Sequence, residues 1–380
     1  MEVYFDNAAT TKVIPEVREI VLETMDDEYG NPSSMHLKGV GAEKYIRYAK
    51  NVISKQLKCE PKEIIFTSGG TESNNLALIG VALANKRAGN HIITTGIEHA
   101  SVYNPILYLQ DNGFRVTFLK VDKQGKVDLD DLRNALCEDT ILVSTMAVNN
   151  EIGAIEPIEE IAKLVKAYNP QIVYHVDAIQ AFGKQIIYPK RIGVDVLSIS
   201  GHKIHGPKGS GALFVDSKVK IKPILFGGGQ EKGMRSGTEN TAAIAGLGKA
   251  TEVMYGRLDE NLSKMKLVKK TLIDGATKLE GVTNNSGEAP HIASLSFKGI
   301  RSEVLLHALE EKGIYVSAGS ACSSNHPAIS GVLKAIGLES DLLESTLRFS
   351  FCEFNTVEEA KYTVEVLEQL LPVLRKFTRK

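Results

Sequence analysis

The first residue whose type and setting could do chemistry is Lys203, in the stretch SISGHKIHGPKGSG at residues 198–211. The stretch leads from a predicted strand into a glycine-rich turn and then into a second strand-like run at residues 212–215. A lysine that is desolvated in a closed pocket has a lowered pKa and can form an imine with an aldehyde. By itself a His-Lys pair in such a turn is more often part of a solvated loop, so the interpretation depends on the groups around it.

The four cysteines are Cys59, Cys137, Cys322 and Cys352. They are too few and too scattered for a disulfide framework, and without a C-x-x-C pair we expect no metal site. Three of them lie in settings that favour a small, partly buried side chain. Cys322 differs, because the sequence SAGSACSSNHP surrounds it with small, flexible residues. This setting predicts an exposed and mobile thiol.

Length, composition and charge limit the possible classes of function. A chain of 380 residues is long enough for about two domains. Its 45 basic and 46 acidic residues give a formal charge of −1, which favours neither nucleic acid nor a membrane surface as partner. The start, MEVYFDNAATT, has no signal-peptide pattern, and no apolar run approaches the roughly 20 residues of a membrane span. We therefore expect a cytoplasmic protein.

Strand-like and helical patterns alternate from residue 15 to residue 215, which predicts a mainly parallel sheet with helices on both faces. The predicted strands are 63–67, 91–95, 115–119, 141–146, 172–177, 194–200 and 211–215. The predicted helices are 41–57, 71–88, 101–112, 129–136 and 158–168. A long helical stretch at about 241–279, expected to cross between the domains, then leads to an α+β unit, with strands at 292–297, 315–317 and 346–351 and helices at 302–312 and 357–375.

Polar residues that directly follow the predicted strands are candidate site residues, because ligands of such sheets bind beyond the carboxyl ends of the strands. The turn SGGTESNN follows the strand at 63–67. There Gly70 lets the backbone approach a ligand, and Thr71 begins a helix whose free N–H groups attract an anion. His99 follows the strand at 91–95 at another helix start, where it could also be a simple cap.

Two further strand ends carry polar side chains. Asn149 and Asn150 follow the strand at 141–146 and could bind a ligand or cap the turn. The strand at 172–177 ends at Asp177, with Gln180 three residues later. A carboxylate at the end of an apolar strand needs a positive partner.

Together these groups fit pyridoxal 5′-phosphate better than a nicotinamide or ATP. The lysine would take the aldehyde, the glycine turn the phosphate, and the carboxylate would keep the pyridine nitrogen protonated. The ATP-binding motif G-x-x-x-x-G-K-[ST] and the dinucleotide motif G-x-G-x-x-G are both absent from the sequence. A pyridoxal phosphate enzyme is therefore the hypothesis that the residues favour.

Eight motifs follow one another along nearly the whole chain: YFDNAATT, GNPSSMH, FTSGGTESNN, VNNEIG, YHVDAIQAFGK, SISGHKIHGPKG, GGGQEKGMRSGTEN and SAGSACSS. In this order they resemble the cysteine desulfurases of the class V aminotransferase group, the NifS/IscS-like family. The resemblance implies an α/β protein of the pyridoxal phosphate-dependent transferase fold, type I, with a mainly parallel seven-stranded sheet in a large domain and a smaller α+β domain. The large domain would span residues 13–257, and the small one 1–12 and 258–380, with a mobile cysteine loop at about 317–330.

The resemblance further implies a homodimer with active sites near the subunit interface, and a role for each matching residue. Lys203 would bind the cofactor covalently and later move protons, Asp177 would pair with the ring nitrogen, and His99 would stack on the ring and take part in acid–base steps. The remaining cofactor contacts would come from Gly70, Thr71, Ser200, His202, Asn150 and Gln180, and from Thr238 of the partner subunit.

Substrate binding and sulfur transfer are the other roles that the resemblance implies. Arg348 would bind the substrate carboxylate with help from Asn150 and Asn31, because the guanidinium fork matches a carboxylate. Cys322 would take the sulfur of L-cysteine as a persulfide, leaving L-alanine. A selenocysteine lyase, or another aminotransferase-type enzyme of this group, is the alternative. The sulfur would pass to an acceptor protein such as an iron–sulfur scaffold.

Two histidines depart from the versions of the motifs typical of the family. His205 stands where an aromatic or small residue is common, and His326 lies in an unusual loop sequence after Cys322. His326 could lower the pKa of the thiol or bind a metal, although a solvated histidine is the simpler interpretation. Neither departure removes a group that the chemistry needs.

Overall fold

The computed structural model describes residues 1–319 and 330–377, so Cys322 and His326 lie outside the described residues. The strands of this part of the chain are β1 Val3–Tyr4, β2 Ile64–Thr67, β3 His91–Thr95, β4 Arg115–Leu119, β5 Thr140–Met146, β6 Val173–Asp177, β7 Val196–Ser200, β8 Gly211–Val215, β9 Val282–Asn284, β10 Ile292–Phe297, β11 Ile314–Tyr315, β12 Ser317–Ala318 and β13 Thr346–Ser350.

The α-helices of the same part are α1 Pro15–Asp26, α2 Leu37–Leu57, α3 Gly70–Asn85, α4 Ala100–Asp111, α5 Leu129–Ala135, α6 Ile158–Tyr168, α7 Pro189–Ile192, α8 Thr241–Gly256, α9 Leu258–Ala276, α10 Ser302–Glu310, α11 Gly331–Ala335, α12 Ser340–Leu343 and α13 Val357–Arg375. Short 3-10 turns lie before β2, after β7 and before α8.

The large sheet has seven strands in the order β2-β8-β7-β6-β5-β3-β4. β8 runs antiparallel to its neighbours β2 and β7, and the other neighbouring pairs are parallel. The mainly parallel seven-stranded sheet predicted from the sequence is therefore confirmed. Because parallel strands end at one edge, the residues after β3, β5, β6 and β7 come together there.

Helices cover both faces of this sheet, and successive strand residues pack into two different cores. Ile92 on β3 packs with residues of α3 and α4, whereas Ile93 packs on the opposite side with residues of α2, α6 and α8. Leu142 and Val143 on β5 divide in the same way. This is the alternation that a strand with period two requires when both of its faces are buried.

The second sheet is antiparallel, in the order β12-β13-β10-β9, and packs with α9, α10 and α13 around a core of its own. β1 lies beside it, paired in parallel with β11. This arrangement agrees with the predicted α+β unit. The exact limits of the two domains stay a prediction.

The helical stretch predicted at 241–279 is present as two helices, because Arg257 separates α8 from α9. Arg257 has φ −126° and ψ 23°, outside the helical region. The reason lies in packing: Leu247 of α8 is buried in the core of the large sheet, and Leu272 of α9 in the core of the small one.

Smaller differences concern other elements. The strand predicted at 315–317 is divided into β11 and β12, which pair with different strands. No pattern predicted β1, α1, α7, β9, α11 or α12, all of which are present. Within residues 1–319 and 330–377, no helix combines the length and the apolar character needed to cross a bilayer.

Candidate active site

A cavity of about 360 Å³ lies at the carboxyl ends of β5, β6 and β7, where α3 begins. The edge of the sheet that the sequence analysis singled out therefore does contain a pocket. Ten of the predicted site residues line it: Gly70, Thr71, His99, Asn150, Asp177, Gln180, Ser200, His202, Lys203 and Arg348.

Lys203 lies on the 3-10 turn that follows β7, and its Nζ reaches back to the N-terminal segment. Nζ donates hydrogen bonds to the carbonyl oxygens of Ala8 (2.6 Å) and Ala9 (2.8 Å), which also line the cavity. The buried ammonium of Lys184 in turn donates to the carbonyl oxygen of Lys203 (2.9 Å) and so holds the turn from behind. Burial, together with the nearby Lys203 charge, lowers the pKa of His202 to about 4, so its ring is neutral.

Asp177 ends β6, and its side chain is buried. One carboxylate oxygen accepts the N–H of Ile179 (2.9 Å), and the other accepts Nδ2 of Asn74 (2.8 Å). Asn74 Nδ2 also donates to Ser101 Oγ (2.9 Å), and Ser101 Oγ lies 2.8 Å from Nδ1 of His99. His99 Nδ1 accepts the N–H of Ser101 as well, so the neutral ring carries its proton on Nε2.

The network joins the two predicted ring contacts, Asp177 and His99, through two residues that the sequence analysis missed, Asn74 and Ser101. Burial raises the pKa of the Asp177 carboxyl, although the hydrogen bonds from Ile179 and Asn74 oppose the rise. A carboxylate in this position gains most from a cationic partner in the cavity. The sequence did contain a signal for Asn74, because it is an amide side chain on α3, a helix that otherwise faces an apolar core.

The residues at the start of α3 fit a phosphate group. The first N–H groups of a helix have no partner within the helix and attract anions. A Cβ at Gly70 would lie 2.2 Å from Cδ1 of Ile179, so a larger residue here would require the Ile179 side chain to move. Within the described residues, Ser200 Oγ and Gln180 Oε1 are buried side-chain oxygens without a hydrogen-bond partner. They are open to a phosphate oxygen and to a phenol-type hydroxyl, both of which pyridoxal phosphate carries.

Arg348 enters the cavity from β13 of the small sheet and is 4% exposed. Its Nη1 donates to the carbonyl oxygen of Asn150 (2.9 Å), and its Nη2 donates to Oδ1 of Asp6 (2.9 Å). Within the described residues its Nε has no hydrogen-bond partner. The guanidinium is therefore oriented by the protein and retains capacity to bind a carboxylate.

Three predicted residues are not among those that line the cavity. Asn31 is exposed, and its Oδ1 accepts the N–H of Ser33 (2.9 Å) just before α2. Thr238 is exposed in the loop before α8. Cys322 lies outside the described residues, between Gly319 and Ser330. Their roles stay predictions.

Comparison with known proteins agrees with this geometry. The family described as aminotransferase class-V matches residues 3–362. The cysteine desulfurase IscS of Clostridium botulinum is 44% identical over 99% of this chain and 96% of its own length. The cysteine desulfurase IscS of Methanosarcina thermophila is also 44% identical, over 98% of this chain and 93% of its own length. The solved structure of a NifS-like protein superposes with a TM-score of 0.93, at 38% identity, covering 98% of this chain and all of that chain.

Proposed function

The chain belongs to the class-V aminotransferase family and is a pyridoxal phosphate-dependent cysteine desulfurase, and from this premise we propose how its own residues perform the reaction. L-cysteine would enter the cavity, its sulfur would move to the Cys322 thiol, and L-alanine would leave. The substrate's C–S bond breaks and a new S–S bond forms on Cys322. Three protons take part: those of the substrate's Cα, the substrate's thiol and the Cys322 thiol. Two of them end on Cα and Cβ of alanine and one on the persulfide, so no external oxidant is needed.

The observation that carries the proposal is the convergence of Lys203, Asp177, His99 and Arg348 on one cavity. Pyridoxal phosphate, when bound, would supply an electron sink for charge at the substrate's Cα. Asp177 would hold the proton on the ring nitrogen, supported by Asn74. Lys203 Nζ would move the protons at Cα and Cβ, and the protonated Nε2 of His99 would donate a proton within the same cavity.

The substrate's orientation would come from Arg348 and its neighbours. Arg348 would bind the α-carboxylate, which leaves the substrate's sulfur free to point towards the cysteine loop. Two contacts support this direction. Ser317, shortly before the stretch 320–329 that contains Cys322, pairs with Arg348 across β12 and β13. Ser330, directly after it, donates from its hydroxyl to the carboxylate of Glu151. The residues on either side of the stretch that contains Cys322 thus lie near Arg348, which would bind the substrate's carboxylate.

A homodimer would complete the site. A largely apolar cleft of about 840 Å³ continues from Thr71 and His99 along α3 and α4 to Phe226, whose side chain is 79% exposed. An apolar surface of this kind next to a site favours a protein partner. A second copy of the chain on this cleft would bring Thr238 of the partner subunit towards the phosphate. Phe226→Asp should give monomers in analytical ultracentrifugation, and a dimer of unchanged stability would contradict this assignment.

Two variants test the chemistry. Lys203→Ala should lose the visible absorbance of lysine-bound cofactor and all alanine formation. Cys322→Ala should keep that absorbance but lose persulfide formation and cysteine desulfuration. Full desulfuration by Cys322→Ala would refute the sulfur-transfer step. Product analysis separates the alternatives, because a selenocysteine lyase would prefer selenocysteine and an aminotransferase would make an oxo acid rather than alanine.

The destination of the sulfur is part of the same proposal. We propose transfer in the cytoplasm to an acceptor protein such as an iron–sulfur scaffold, since the formal charge of −1 favours neither nucleic acid nor a membrane as partner. The persulfidated protein used as bait, with Cys322→Ala as the matched control, should retain the acceptor selectively. Equal retention by the control would contradict transfer through Cys322.

A further inference from the structure

A second group of chemically active side chains lies behind the loop that carries Lys203. The candidate ligand atoms of His205, Cys352 and Glu353 all lie within 4.8 Å of one another. The His205 and Glu353 side chains are only 2% and 9% exposed, and Nε2 of His205 lies 3.2 Å from Oε2 of Glu353. The three residues come from two segments that are almost 150 positions apart, and none of them lines the cavity described above.

The hydrogen bonds of His205 decide which of its nitrogens is available. Nδ1 lies 2.7 Å from the carbonyl oxygen of Lys12, which can only accept, so Nδ1 carries a proton. The neutral ring then directs the lone pair of Nε2 at the carboxylate of Glu353, which also offers only lone pairs. Two acceptors at 3.2 Å need a cation between them, either a second ring proton or a metal ion. Histidines that bind a metal through one ring nitrogen commonly donate the N–H of the other nitrogen to a backbone carbonyl, as His205 does.

The distances fit a tetrahedral ion. Zn–N and Zn–O bonds of about 2.0–2.1 Å at tetrahedral angles place nitrogen and oxygen about 3.3 Å apart, close to the observed 3.2 Å between His205 and Glu353. The Cys352 sulfur needs only a small approach, because all three atoms already lie within 4.8 Å. We propose that His205, Cys352 and Glu353 bind one zinc ion, with water as the fourth ligand.

Charge and donor type favour zinc over other ions. Zn²⁺ with one thiolate, one carboxylate and one neutral imidazole has no net charge, and the thiol proton leaves on binding. Magnesium and calcium prefer oxygen ligands alone, whereas a mixed sulfur, nitrogen and oxygen set suits zinc. The group lies close to the protein surface, since the ring of Phe354, which packs edge-on against His205 at 5.4 Å, is itself 59% exposed.

The surrounding backbone holds the histidine in place. His205 has φ +66°, in the left-handed region that histidine adopts more readily than most residues, and its N–H donates to Thr11 Oγ1 (2.7 Å). Lys184, which interacts electrostatically with both Cys352 and Glu353, donates to the Lys203 carbonyl oxygen (2.9 Å). Zinc here would act as a structural ion that stiffens the turn behind Lys203.

The test uses full-length holoenzyme without an affinity tag, in the Cys322→Ala background, so that the proposed sulfur-accepting thiol does not bind the probe. The protein is freed of metal with a chelator and titrated with Zn²⁺ alone. We expect one zinc per chain by elemental analysis. X-ray absorption at the zinc edge should show one sulfur at about 2.3 Å and lighter ligands at about 2.0–2.1 Å. Zinc should raise the melting temperature of this protein.

Matched variants decide between a zinc site and a plain ion pair. Cys352→Ser and Glu353→Gln should each lower the zinc affinity at least tenfold and abolish the zinc-dependent rise in melting temperature. Cys59→Ser, at a partly buried thiol outside the group, should change neither. Failure of the parent protein to bind zinc, or zinc binding that all three variants retain, would overturn the proposal and leave His205 and Glu353 as an imidazolium–carboxylate pair. If Cys352→Ser does not fold, Glu353→Gln gives the same decision.

Discussion

Replacing Asn74 by alanine should weaken cofactor binding although the side chain does not line the cavity. Asn74 lies on α3, is fully buried, and donates to Asp177 Oδ2 at 2.8 Å. Within the described residues, Ile179 supplies the other N–H that Asp177 receives, at 2.9 Å. Asn74→Ala would therefore remove one of the two donors of a buried carboxylate.

The magnitude follows from the type of bond. A hydrogen bond to a charged group contributes about 1.5–3 kcal/mol, and each 1.4 kcal/mol is a factor of ten in an equilibrium constant. Burial already raises the pKa of the Asp177 carboxyl, and the bond from Asn74 opposes that rise. Without it the ionised form that pairs with the ring nitrogen becomes less favourable. We expect the dissociation constant of pyridoxal phosphate to rise about 10- to 100-fold.

The assay is a spectrophotometric titration of the apoprotein with pyridoxal phosphate, together with thermal unfolding. Asn85→Ala is the matched control, because Asn85 is the last residue of the same helix and donates to Val81 O (2.8 Å), about 16 Å along the axis from Asn74. The control should bind the cofactor as the parent does. If Asn74→Ala binds the cofactor within twofold of the parent while its melting temperature falls, Asn74 is a packing residue and the reasoning about Asp177 is refuted.

Three further predictions concern the substrate, the fold and the cofactor turn. Arg348→Gln should raise the KM for cysteine about 10- to 100-fold with a smaller change in kcat, since one charged hydrogen-bonding partner of the carboxylate is lost; an unchanged KM would contradict the assignment. Burial raises the pKa of Glu156 from 4.5 to about 7, so the folded state holds a proton that the unfolded state releases, and stability falls as the pH rises from 4.5 through 7. In thermal unfolding, Glu156→Gln should therefore be more stable than the parent at pH 8, by up to roughly 3 kcal/mol, and equally stable near pH 4. The control Glu160→Gln, at an exposed position, should show no such pH-dependent gain. A Cβ at Gly211 would lie 2.6 Å from Gly69 Cα, so Gly211→Ala should shift the turn before α3. Cofactor binding should become about tenfold weaker in the titration with pyridoxal phosphate. Unchanged affinity would show that the turn tolerates the shift.

The sheet and most of the cavity were predictable because their signals are local. Strands with both faces buried are short apolar runs, and three of the seven predicted for the large sheet have the observed bounds: β3, β4 and β8. Polar residues directly after such strands must meet at one edge of a parallel sheet, which is why Asp177 and His99 were found together. The motifs extended this reasoning to Arg348, on a strand of the other sheet.

The contacts that escaped prediction depend on pairs that are distant in sequence. Asn74 and Asp177 are separated by 103 positions, and Asn74 reads as an ordinary residue of a helix. His205, Cys352 and Glu353 form no recognisable sequence motif, because His205 is almost 150 positions away from the other two and meets them only in the tertiary fold. The break at Arg257 was missed for a related reason, since it follows from two cores that a single helical pattern does not distinguish.

The N-terminal segment shows most clearly how the two sheets act on one site. β1 pairs with β11 beside the small sheet, and shortly after it Asp6 binds Arg348. Two and three residues further on, the carbonyl oxygens of Ala8 and Ala9 hold Nζ of Lys203. A substrate carboxylate bound by Arg348 would share the guanidinium with Asp6, so substrate binding would act on the segment whose next residues hold the lysine. The N-terminal segment thereby links Arg348, which would recognise the substrate, to Lys203, which would move its protons. The contacts to Lys203 are made by backbone carbonyl oxygens, which no side-chain motif could have revealed.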